Sequence, residues 1–85
     1  MKLEKFDIDA RELAHPEPLE KAIKVLHKLN NTSYLYMLHI KNPIPLLDLA
    51  QENGYRTLSQ QNSSGEWQII ITNNTEVSLK SLLDV

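Results

Sequence analysis

Apolar and polar residues alternate over Phe6-Asp7-Ile8-Asp9, the period of a half-buried strand, which predicts Phe6 and Ile8 against a core and both aspartates facing away. From Pro16 the period lengthens. Leu19, Ala22, Ile23, Leu26 and Leu29 fall on one helical stripe with Glu20, Lys21, Lys24 and Lys28 opposite, predicting a helix over 16–29. Ser33 to Ile40 is almost continuously apolar and rich in β-formers, the signature of a strand covered on both faces. Leu46, Leu49 and Ala50 form a second helical stripe over 44–53, and Gly54 behind it suits a left-handed cap. Tyr55 to Gln61 and Glu66 to Thr72 then predict a hairpin turning at Asn62-Ser63-Ser64-Gly65, with Trp67, Ile69 and Ile71 alternating against Gln68, Ile70 and Thr72.

Both helices begin on prolines, Pro16 and Pro18 for the first, Pro43 and Pro45 for the second. The first turn of a helix has N–H groups without partners, so a residue that lacks the N–H and already holds a helical φ is well placed there. Glu17 and Glu20 sit at the positive end of the first helix's dipole and Lys24 and Lys28 at its negative end.

The order β-α-β-α-β-β with right-handed crossovers predicts an α+β fold, an α/β two-layer sandwich with two helices on one face of a four-stranded mixed sheet. That leaves the second face of an apolar central strand to be covered. Leu79, Leu82 and Leu83 lie at helical spacing in the tail. The chain is therefore read as one domain over 1–73 and a C-terminal segment over 74–85, a short helix that docks on the sheet unless a second molecule does so, as in a weak dimer through the open face.

Composition narrows the function classes. Eighty-five residues make one modest core. A net charge of −2 gives no general pull toward nucleic acid or anionic membranes, and Lys21, Lys24 and Lys28 alternate with acids without an aromatic stacking platform. There is no cysteine, which removes disulfides, thiolate metal sites and thiol nucleophiles. No apolar run has the length of an export signal or a membrane span, so a cytoplasmic location is expected, and the Asn-x-Ser/Thr matches at Asn30, Asn62 and Asn73 are read as polar turns. Neither a glycine-rich phosphate loop nor a nucleophile setting is present, so no catalytic residue is assigned, no cofactor is expected, and a protein partner is the expected ligand class.

The segment "DARELAHPEPLEKAI" resembles the start of TusA/SirA-like sulfur carriers, in which an Arg-Gly-Leu-x-Cys-Pro-x-Pro stretch joins the first strand to the first helix. Arg11, Leu13, Pro16 and Pro18 match, while His15 stands in the place of the sulfur-carrying cysteine and Glu12 in that of the glycine. "HPEPLE", "LHIKNPIPL", "ENGY" and "GEWQIII" occur in the order of an uncharacterised branch related to those carriers, covering about Phe6 to Ile71. The resemblance implies the carrier fold without persulfide chemistry and conveys no activity; with no catalytic motif in the chain, the protein is read as a small binding or adaptor module of that fold. Its candidate binding corner is Arg11, His15, Glu17 and His39.

At that corner His15 precedes the first helical turn, where free N–H groups favour an anion and Arg11 can add a charged fork, although the same position suits a histidine that only caps the helix. His39, near the end of the second strand, shares an edge with His15 if the first two strands are parallel. A His15/His39 pair completed by Glu17 or Asp9 would suit a metal, and an accessory protein of a redox or metalloenzyme system, holding a metal or small anion there, is the alternative reading. His27 falls on the polar face of the first helix, a position for a solvated residue.

Overall fold

The computed structural model describes residues 3–83. Its elements are β1 (Glu4–Asp9), α1 (Glu17–Leu26), β2 (Ser33–His39), α2 (Ile44–Glu52), β3 (Arg56–Gln61) and β4 (Trp67–Thr72), followed by a single 3₁₀ turn at Leu79–Leu82. The four strands form one sheet in the order β1-β2-β4-β3. β1 and β2 are parallel with Phe6 opposite Leu35 and Ile8 opposite Met37. β2 and β3 each pair antiparallel with β4. This is the mixed-sheet, two-helix α+β architecture the alternation of periods predicts.

Parity along the central strands divides the core in two. Leu35 and Met37 of β2 with Ile69 and Ile71 of β4 face the helices, where Ile8, Ala22, Leu26, Leu46, Leu47 and Ala50 close over them. Tyr34 and Ile70, one residue out of phase, face the opposite side and pack with Leu82, flanked by Leu3, Leu58, Val77 and Leu79. The tail thus covers the second sheet face from within the chain, though as one 3₁₀ turn rather than an α-helix. Arg56 holds it in place, its Nη1 donating to the carbonyls of Asn74 at 2.9 Å and Val77 at 2.8 Å. The Asn74 amide donates to the Asn31 carbonyl, and its Oδ1 accepts from the N–H groups of Glu76 and Val77. Asp84 and Val85 of the expected segment lie outside the described residues.

Element ends depart from the sequence pattern for local reasons. α1 stops at Leu26 rather than Leu29, because the N–H groups of Lys28 and Leu29 turn to the carbonyls of Val25 and Leu26, tightening the chain out of the α-helix. Leu29 still packs at the core margin. The Leu26 carbonyl gains a second donor, the Tyr55 hydroxyl at 2.9 Å. α2 ends in a complete Schellman motif: Gly54 takes φ +84°, its N–H reaches the Gln51 carbonyl, and the Tyr55 N–H reaches that of Ala50. β2 ends at His39 rather than Ile40 because the next two N–H groups leave the ladder for a side chain.

Candidate functional site

Parallel pairing of β1 and β2 brings the β1–α1 corner and the β2–α2 turn to the same carboxyl edge of the sheet. Between them lies a cleft of about 160 Å³. Its apolar walls are Leu13, Pro18 and Leu19 from the first side and Pro43, Pro45 and Leu46 from the second, with Met37 contributed by β2. Its polar groups are His15, His39, Lys41 and Asn42, and no Asp or Glu lines it.

His39 is the most constrained of these. It is 8% exposed, and its Nδ1 accepts hydrogen bonds from the backbone N–H of Ile40 at 2.8 Å and of Lys41 at 3.3 Å. A nitrogen that accepts must carry its lone pair, so the imidazole is neutral with its proton on Nε2. Burial, followed by the nearby Lys41 charge, holds its pKa below the ordinary value and favours this neutral form. Among the described residues Nε2 makes no hydrogen bond within the chain. No buried side-chain nitrogen or oxygen there lacks a partner, so Nε2 is accessible, on a residue that lines the cleft. Asn42 fixes the turn from outside, its Oδ1 accepting from the Ser59 hydroxyl at 2.6 Å.

The residues singled out from sequence divide into two pairs. His15 and His39 share the cleft; Arg11 and Glu17 are not among its lining residues. The fork of Arg11 is turned to carboxylates of its own chain: Nε and Nη2 meet Asp9 at 2.9 and 2.7 Å, and Nη1 meets Glu66 at 3.0 Å. The side-chain hydrogen bond from Arg11 holds the Asp9 carboxyl at about 2, and the same fork lowers Glu66. An anion meeting Arg11 would compete with both carboxylates for a fork they already engage. Glu17 is exposed on the first turn of α1, with Pro16 rather than His15 at the N-cap position. His15 is itself exposed. Asp9 is committed to Arg11, and among the described residues no three His, Cys, Asp or Glu side chains gather to hold a metal ion.

Sequence reasoning did not single out Lys41, Ile40 or Met37. Ile40 lines the cleft mouth at 55% exposure and Ile44, at the start of α2, is 50% exposed, the two large apolar side chains left most open to water among the described residues. The signal was present in "LHIKNPIPL", where an apolar strand continues past its last buried residue into a proline-stiffened turn. None of the described helices is long and apolar enough to cross a membrane.

A family model described as "Uncharacterized conserved protein (DUF2249)" matches residues 7–73. Among solved structures the chain is similar to a SirA-like protein from Desulfitobacterium hafniense, at 25% identity and a TM-score of 0.69, over 81% of this chain and 97% of that one. No curated protein matches the chain. The family match ends before the tail that covers the second sheet face.

Proposed function

The chain belongs to the DUF2249 family of uncharacterized conserved proteins, and from that premise we propose that it is a binding or adaptor module that takes one apolar side chain of a protein partner into the cleft between its two corners. The cleft carries this reading by its size and rim. At about 160 Å³ it is smaller than the roughly 300–1,000 Å³ that drug-sized ligands and cofactors occupy, and near the ~150 Å³ that admits a benzene-sized group. Ile40 and Ile44 extend apolar surface beyond the mouth, which a small ligand would leave wet and a protein surface would cover. The absence of cysteine sets the module apart from carriers that use a thiol at the His15 position, so the shared fold is used for docking.

Peptides selected from a displayed random library against the purified protein test this reading. Pro45→Trp places an indole across the cleft and should abolish their binding, whereas His27→Trp, on the exposed end of α1, should not. Peptides that bind Pro45→Trp as well as the native chain would place the docking surface elsewhere.

A further inference from the structure

We propose that the partner group is a carboxyl-terminal apolar residue, its side chain on the floor of the cleft and its terminal carboxylate on His39 Nε2–H and the Lys41 ammonium. This rests on the docking reading above and specifies the chemistry of the same site. His39 is more than nine-tenths buried, and its outward nitrogen is a donor because the inward one is fixed as an acceptor by two backbone N–H groups. A donor of a largely buried residue that opens on a cleft with apolar walls selects an acceptor, since a purely apolar guest would cover it and leave it unpaired. Lys41 stands at the same mouth, exposed, and among the described residues it forms no ion pair. No carboxylate lines the cleft to repel an anion, and Asp9 and Glu66 are both paired with Arg11. The apolar lining, Leu13, Leu19 and Leu46 over Met37, takes a branched aliphatic side chain.

These groups ask for an acceptor with negative charge a few atoms from an aliphatic group, which a chain terminus and a short free acid both supply. The exposed Ile40 and Ile44 decide for the chain terminus, because residues preceding it would cover them and a free acid would not.

The test uses a fluorescein-labelled pentapeptide ending in leucine, as the free acid and as the carboxamide, with 4-methylpentanoate as competitor. The acid should bind roughly tenfold or more tightly than the amide, the scale of one charge-assisted hydrogen bond. Lys41→Gln should weaken the acid by roughly fivefold to tenfold and leave the amide unchanged, and His39→Asn, whose Oδ1 replaces the Nδ1 acceptor while the Nε2 donor is lost, should weaken the acid by as much and the amide, whose carbonyl also accepts, by less. Acid and amide binding alike, both blocked by Pro45→Trp, would overturn the carboxylate and leave the docking reading standing. Competition by 4-methylpentanoate at the affinity of the peptide would overturn a chain terminus in favour of a free acid. Library peptides insensitive to Pro45→Trp would remove the docking reading itself.

Discussion

His39 uses its two ring nitrogens for different ends, Nδ1 closing the β2–α2 turn and Nε2 opening on the cleft. His39→Ala leaves two backbone N–H groups without their acceptor and should cost about 1–3 kcal/mol of unfolding free energy in urea, while His39→Asn, with an oxygen at the same place, should cost less. The histidine also sets a pH dependence. Its folded pKa lies below the unfolded reference of about 6.5, so the unfolded chain binds the proton first as the pH falls. The stability that depends on neutral His39 is therefore complete above about pH 6.5 and is lost as the pH falls toward the lowered folded value. Urea midpoints of the native chain should drop more steeply between about pH 7 and pH 5 than those of His39→Asn. Asp9, held at about 2, acts at lower pH and stays out of that window. Both cleft histidines were legible, His15 beside the first proline pair and His39 near the end of the second strand. That Arg11 faces away from the cleft was not, because its second partner, Glu66, is 55 positions along the chain and only sheet order brings it close.

The elements were legible where a local device ends them. Gly54 is a left-handed cap in the pattern and in the structure, at φ +84° with nothing within 4 Å of an added Cβ. Gly54→Ala should therefore cost only the left-handed penalty, about 1–2 kcal/mol, with no steric addition, read as a lowered melting temperature with the helical circular dichroism retained. α1 ends three residues before its apolar stripe does, because Leu29 keeps the helical stripe while its backbone has already left the helix. Periodicity reports which side chains are buried, and a 3₁₀ turn buries them almost as an α-helix does. Tyr55 supports that end from the turn between α2 and β3. Removing its hydroxyl in Tyr55→Phe should cost about 1 kcal/mol through the lost bond to the Leu26 carbonyl, checked by the same melts.

At the scale of the whole molecule, the parallel β1–β2 pair and the antiparallel hairpin follow from the βαβ order and the short Asn62–Gly65 turn, and the family match over 7–73 agrees with that frame. The continuous apolar run of β2 announced that both sheet faces need cover but did not say what supplies it. Intramolecular docking depends on Arg56 and Asn74 bonds to irregular backbone, which have no sequence period. Truncation after Asn74 should expose Tyr34, Ile70 and Leu58 and accelerate amide exchange in β3 and β4. Leu82→Ala alone should cost about 2–3 kcal/mol in urea unfolding. With that face occupied by the chain itself, the cleft at the opposite layer is the surface proposed for a partner's apolar group. The most direct measurement is a backbone amide map of the isotope-labelled protein titrated with the leucine-terminated peptide. The account predicts shifts confined to Leu13–Leu19 and Met37–Leu46, the two corners that form the cleft. Shifts centred instead on Tyr34, Ile70 and Leu79–Leu82, with those corners unmoved, would contradict it.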